Sequence, residues 1–336
     1  MRSEVKSFGL VQVETIEQAV QVLGLLREKA KVIAGGTDVL YLIKNDVRSH
    51  RPEYLVDISK LPLKYIRFDE REGLRIGALT TLSEVASHGT LRERFTALAQ
   101  AADRAASPQL RTMATIGGDI LQEVWCWYLR NNYDCWRNGG TICYGAIGDN
   151  RFYHSIFGGR LCYAVHAGDI APALFAFNAR VVIVGPTGEK VMSMDDFMPG
   201  ITIVEGRIKE NVLKSNELLK EIMVPTPRPG TKSAFYKIAD RGSIDFALAS
   251  AAVVVRTEGS EIADASIVLG AVDVKPRRAR AAEEYLRGRT LNEETIKKAA
   301  EEAVKDATPL TFGTGNAFRV ELAKAAVVRA LRAIMS

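Results

Sequence analysis

Long apolar runs are missing from this sequence. The longest, FALASAAVVV from Phe246 to Val255, is about half the ~20 residues that a membrane-spanning helix requires. The N-terminal stretch MRSEVKSFGLVQVE has no apolar segment of the kind a secretory signal carries, so no membrane association and a cytoplasmic location are expected. Blocks of one charge are missing too. The 45 Lys and Arg residues alternate with 40 Asp and Glu for a net charge of +5, which argues against a dedicated nucleic-acid surface. The one basic run, KPRRAR from Lys275 to Arg280, precedes an acidic helix and reads as a solvated helix start or a partner contact. Neither G-x-G-x-x-G nor a Gly-Lys-Thr phosphate loop occurs, which excludes the common dinucleotide and nucleoside-triphosphate fingerprints. No Ser-His-Asp set, paired-carboxylate site or metal-hydrolase motif is present either. Any chemistry must therefore come from cofactors that the protein positions. Cysteine is scarce, and the four present all lie between Cys126 and Cys162.

What is there suits a globular protein of two or three domains, with 47% hydrophobic and 25% charged residues in 336. Thr15 can cap a helix whose Ala19, Val22, Leu23 and Leu26 share one face, and the apolar KVIAG after it reads as a buried strand, a βαβ-like opening. Strands are expected at 53–59 and 74–79, with a helical zone at 81–106 interrupted near Gly89. RVVIVGPTGEKV (Arg180–Val191) reads as a hairpin, and TPRPGTK (Thr226–Lys232) as a domain boundary. Beyond it, strands are expected at 234–238, 249–256 and 265–272, then helices from Arg280 and from Asn316 to the end.

Two glycine pairs are built alike. VIAGGTDVL (Val32–Leu40) and TIGGDIL (Thr115–Leu121) each place Gly-Gly after an apolar segment and before a possible helix start. Adjacent glycines allow positive φ and close approach of N–H groups to an anion. One pair alone is an ordinary turn. Two, each beside a threonine, suggest a split cradle for a pyrophosphate.

Five segments, in order, carry a resemblance: VIAGGTDVL, QLRTMATIGGDIL (Gln109–Leu121), AGDIAPAL (Ala167–Leu174), FYKIADRGSIDFALASAAV (Phe235–Val253) and AFRVELAKAAVVRAL (Ala317–Leu331). Together they resemble the FAD-binding medium subunit of the xanthine dehydrogenase and carbon monoxide dehydrogenase family of molybdenum hydroxylases, over nearly the whole chain. The resemblance implies an α+β fold. A two-subdomain FAD-binding domain (1–225, divided near residue 60) would precede a C-terminal α/β domain of the carbon monoxide dehydrogenase flavoprotein type (226–336). It also implies an oxidoreductase subunit that passes electrons between a 2Fe-2S small subunit and an external carrier, beside a molybdopterin-binding large subunit. Carried over position by position, Val32, Ile33, Ala34, Gly35, Gly36, Thr37, Asp38 and Val39 would wrap the FAD pyrophosphate. Thr115, Ile116, Gly117, Gly118 and Asp119 would complete the cradle. Asp169 matches a residue contacting FAD, and Leu219 and Lys237 match positions near the isoalloxazine. The family usually has Asn where this chain has Asp119. A carboxylate beside phosphates costs Coulomb energy, so Asp119 is expected to act through its backbone.

Between the second glycine pair and Asp169 lies an insertion of about forty residues, roughly 122–165, which holds Cys126, Cys135, Cys143 and Cys162 and looks like a self-contained metal module. Four thiolates suit a structural zinc or a 4Fe-4S cluster. No C-x-x-C knuckle of a zinc ribbon occurs, and intervals of eight, seven and eighteen residues suit a loop wrapping a larger object. Gly139, Gly140, Gly158 and Gly159 permit close N–H approach to sulfur, while Trp125, Trp127, Trp136 and Tyr128 could exclude water. The insertion also resembles that of aldehyde oxidoreductase-like and 4-hydroxybenzoyl-CoA reductase-like members, which carry a 4Fe-4S cluster on this subunit. Zinc, free thiols or disulfides, and His154 or His166 in place of one cysteine stay open. Such a cluster would favour a ferredoxin-like carrier over NAD. A stand-alone flavin enzyme and a metal-stapled interaction protein are the rival readings.

Overall fold

The computed structural model describes residues 6–335. Residues 1–5, read above for the lack of a signal, and Ser336, at the end of the expected last helix, lie outside them. The first sheet contains β1 (Gly9–Gln12), β2 (Ala30–Ile33) and β3 (Tyr54–Asp57), all parallel in the order β1-β3-β2. Thr15 starts the connecting helix Ile16–Leu26. Its hydroxyl accepts from the Gln18 N–H at 3.2 Å while the Gln18 side chain reaches back to the Thr15 N–H at 3.3 Å, a reciprocal cap.

The second sheet is antiparallel. It holds β4 (Ile66–Asp69), β5 (Gly73–Gly77), β6 (Arg180–Gly185) and β7 (Gly188–Ser193). A separate ribbon follows, β8 (Thr202–Val204) with β9 (Arg207–Lys209), and then β10 (Leu218–Val224) inserts between β5 and β6. Helices Leu82–Ser87, Gly89–Arg94 and Thr96–Arg104 cover this sheet. The helical zone breaks at Gly89 as expected and again at Phe95. That ring is fully buried, with its centroid 5.4 Å from that of Phe177.

The third sheet runs β11 (Thr231–Ile238), β12 (Ala249–Glu258), β13 (Glu261–Gly270) and the short β14 (Arg277–Arg278), paired antiparallel. Its strands alternate between two cores. Phe235, Ala252 and Val268 face the core of the second sheet, whereas Ala234, Ala251 and Val253 face the helix Phe318–Met335. The Pro- and Gly-rich link near Thr226 therefore separates two sheets without breaking the packing between them. The helix Glu293–Glu302, capped by Asn292, was not anticipated because its charged sequence carries only a narrow apolar stripe. The basic run is used inside the molecule, with Arg277 paired to Asp306 and Arg278 to Glu283.

The insertion is not self-contained. Its segments are short turns, Trp127–Arg130, Trp136–Asn138 and Tyr144–Ile147, closed by bridges between Trp125 and Val165 and between His154 and Ala164. Ile156 belongs to the C-terminal core, and its N–H bonds to the Val272 carbonyl at 2.9 Å. Arg319 is fully buried and donates to the carbonyls of Leu248, His154 and Ala271. Asn316 adds bonds to the carbonyls of His154 and Ser155. Segments this short bury too little surface to fold alone, so the C-terminal domain holds them.

Candidate functional site

Val32 and Ile33 end β2, and the chain then turns through Ala34, Gly35, Gly36 and Thr37 into the helix Val39–Lys44. Gly36 has φ 73°, a left-handed conformation that a β-branched residue resists. Gly35 packs so closely on the second loop that a Cβ there would lie 1.8 Å from the Met113 carbonyl oxygen. The N–H groups of Gly35, Gly36, Thr37, Asp38 and Val39 find no acceptor among the described residues. Successive unsatisfied N–H groups around a positive-φ residue form a concavity that attracts anions.

The second loop is different. The Thr115 hydroxyl accepts from the Gly118 N–H at 3.1 Å, starting the short helix Ile116–Leu121. The Ile116 N–H goes to the Thr80 carbonyl at 2.8 Å, that of Gly117 to Ala78 at 3.0 Å and that of Asp119 to Thr115 at 2.9 Å. The N–H groups of Ile116 to Asp119 are thus all bonded within the chain, two inside the turn and two to the carbonyls of Ala78 and Thr80. Gly117 packs closely on Ala78, where a Cβ would lie 2.9 Å from the carbonyl oxygen.

Asp119 was expected to act through its backbone; its side chain makes contacts within the fold. Buried beneath the loop, its carboxylate accepts from the Ile170 N–H at 3.0 Å and from the Gln122 side chain at 3.2 Å, joining the loop to the Asp169 segment. Asp169 pairs with Lys237, Oδ2 to Nζ 2.6 Å, and Lys237 also donates to the Arg104 carbonyl at 3.2 Å. Lys237 points inward and does not reach for solvent. Leu219 lies in β10, its side chain in the main core. The carbonyl of its neighbour Lys220 accepts from Ala78, the residue that receives the Gly117 N–H.

Burial and the neighbouring Asp169 push the Asp119 carboxyl up to about 7. A carboxyl whose folded value lies above its unfolded one is easiest to bury when protonated. Stability is then lost as pH rises from about 4 to about 7. In the flavin-free chain, Asp119→Asn should gain on wild type by about 3 kcal/mol between pH 5 and pH 8. Thermal melts at the two pH values read this directly, and an equal gain at both would show that the carboxylate is fully compensated.

The two candidate regions meet at Asp38. Its carboxylate accepts from Arg130 Nη1 at 3.0 Å and from the Glu123 N–H at 2.8 Å. Arg130 is buried, lies 4.6 Å from the Trp125 ring centroid, and Trp125 in turn stacks on Phe246 at 4.3 Å. Beyond this junction all four cysteines line one small cavity of about 20 Å³, partly open, together with Tyr128, Leu129, Trp136, Arg137 and Tyr144. The thiols are unpaired. Burial pushes Cys126 up to about 12 and raises Cys135 and Cys143 as well. Among the described residues no three His, Cys, Asp or Glu side chains converge on a site for a single metal ion.

His166 cannot replace a cysteine, because its ring nitrogens are taken by the Ile120 carbonyl at 3.1 Å and the Gly168 N–H at 3.2 Å. His154 does touch the cavity, with Nε2 3.5 Å from Cys126 Sγ. Glu123, Arg130 and Arg137 escaped the sequence reading. A buried arginine looks like any surface arginine until its partner is known, and the carboxylates of Asp38 and Glu210 lie 92 and 73 positions from Arg130 and Arg137.

A run of free N–H groups around a left-handed glycine suits an anionic group. Residues 6–227 match the family described as FAD binding domain in molybdopterin dehydrogenase, and residues 234–334 match the CO dehydrogenase flavoprotein C-terminal domain. The chain is 35% identical over 263 residues to the aldehyde oxidoreductase FAD-binding subunit PaoB of Escherichia coli K12, covering 76% of this chain and 79% of that one. It is 30% identical over 323 residues to the carbon monoxide dehydrogenase medium chain of Hydrogenophaga pseudoflava, covering 95% and 94%. The solved carbon monoxide dehydrogenase of Hydrogenophaga pseudoflava that lacks the Mo-pyranopterin moiety superposes with a TM-score of 0.76 at 28% identity, over 99% and 98% of the two chains. This chain belongs to the FAD-binding medium subunits of the xanthine and carbon monoxide dehydrogenase family.

Proposed function

We propose that this protein is the FAD- and 4Fe-4S-carrying electron-transfer subunit of a heteromeric molybdenum hydroxylase. It would work with a molybdopterin-binding large subunit and a 2Fe-2S small subunit, with a ferredoxin-like carrier outside. The observation that carries the flavin half is the run of five free N–H groups from Gly35 to Val39, which fits a pyrophosphate. The cluster half is supported by the four thiols lining one cavity.

When bound, FAD supplies conversion between two-electron and one-electron transfer and the cluster a one-electron port. The residues present do the holding. Val32 to Val39 would bind the diphosphate, and Thr115 to Asp119 would complete the cradle. The Asp169–Lys237 pair fixes the floor beneath it, with Leu219 packed in the core alongside. Cys126, Cys135, Cys143 and Cys162 hold the cluster, while Tyr128 and Trp136 limit water at the cavity. We take 1–225 as the FAD-binding unit, with 122–165 inserted in it, and 226–336 as the C-terminal unit. Among the described residues no helix is long and apolar enough to cross a membrane, and we place the complex in the cytoplasm.

The isolated chain, loaded with FAD, should not oxidise aldehydes, purines or aromatic thioesters, because it has no residue set for the substrate half-reaction. It should exchange electrons with artificial acceptors. Turnover of any of these substrates by the chain alone would support a stand-alone flavin enzyme instead.

A further inference from the structure

We propose that Arg137 is a positioning residue for the cysteine cavity: it sets the charge felt at Cys162 and ties that sulfur to the glycine loop through Glu123. The proposal rests on the reading of the four cysteines as cluster ligands.

Arg137 lies two residues after Cys135 in the turn Trp136–Asn138, with its side chain only 5% exposed. All three of its nitrogens are used. Nε donates to Cys162 Sγ at 3.4 Å, Nη1 to Glu123 Oε1 at 2.9 Å and to the Ile208 carbonyl at 3.3 Å, and Nη2 to Glu210 Oε2 at 3.1 Å. Among the described residues it is the arginine or lysine in hydrogen-bond contact with a cysteine sulfur. A guanidinium stays charged at any working pH, and its planar fork holds several acceptors in one geometry. Lysine could not satisfy all four contacts from a single nitrogen.

On its other side the network continues to the first loop. Glu123 Oε2 meets His50 Nε2 at 2.9 Å, and the Glu123 N–H reaches Asp38 Oδ2 at 2.8 Å. Asp38 belongs to the run whose N–H groups are free. From the sulfur of Cys162 to that loop, the path is two side chains and one peptide N–H. Cluster potentials depend on net charge and on hydrogen bonds to the ligand sulfurs. A fixed cation donating to one sulfur favours the state that holds one more electron, and Glu210 opposes it.

The test is an anaerobic redox titration of the cofactor-loaded protein, followed by EPR of the cluster. Arg137→Met alone would strand Glu210 in the interior, so it is made together with Glu210→Gln. The double variant should shift the one-electron equilibrium at least tenfold toward the oxidised cluster, a potential ~59 mV more negative. Glu210→Gln alone should move it the other way, and Arg137→Lys should fall between wild type and the double variant. A purely structural role would not give opposite signs. An unchanged potential in an iron-replete double variant overturns the proposal. Should the double variant lose its iron, Glu210→Gln decides: a rise supports the proposal and no change overturns it. Wild-type protein that binds no iron sinks the cluster reading itself, an outcome distinct from either.

Discussion

Gly36→Val is expected to empty the flavin site. The residue sits at φ 73° in the middle of the free N–H run, and L residues pay ~1–2 kcal/mol for that region, β-branched ones more. A Cβ there would also crowd the Leu40 side chain, 3.0 Å from its Cδ1. FAD affinity should fall at least ~100-fold, about 2.7 kcal/mol, with flavin absorbance lost on gel filtration. Gly36→Asn, which tolerates positive φ better, should lose less. Gly35→Ala should do harm of another kind, because its Cβ would strike the Met113 carbonyl and push the two loops apart. Stoichiometric FAD in Gly36→Val would mean that this loop is an ordinary turn.

Cys143→Ser should remove the iron and spare the flavin. Of the four thiols, Cys143 is the least buried, so serine is tolerated there structurally. Iron should fall from about four per chain to near zero, since a cluster needs all four sulfurs. FAD should stay above about nine-tenths of wild type because the contacts from Asp38 to Arg130 and Glu123 do not pass through Cys143. Metal analysis and flavin absorbance on one sample read both. Unchanged iron would remove Cys143 from the ligand set. Simultaneous loss of FAD would show that the insertion and the first loop are coupled more tightly than these contacts imply.

The parts of the fold that were legible are those where a local signal decides. Thr15 with its helix, the glycines at 35–36 and the hairpin at 185–188 follow from capping and φ preferences that neighbours do not alter. The short strands β1 and β4 were illegible because four residues with alternate positions half exposed carry almost no periodic signal. In the candidate site, the residue types were visible but not their use. Asp119, Asp169 and Lys237 come from three distant segments, and only packing shows that Asp169 is spent on Lys237 and Asp119 on Ile170. The same holds for Arg137 and Glu210, 73 positions apart. The insertion looked independent because its composition is distinctive. Its anchors, Asn316 and Arg319, lie in the last helix region, where no sequence pattern marks them as partners of His154.

The most direct measurement is the iron, acid-labile sulfide, zinc and flavin content of the wild-type protein purified without oxygen, with its visible spectrum. The account predicts one FAD, about four iron and about four sulfide per chain, negligible zinc, and flavin bands over a broad shoulder near ~400 nm. One zinc per chain without iron, or full flavin with neither metal, would contradict it.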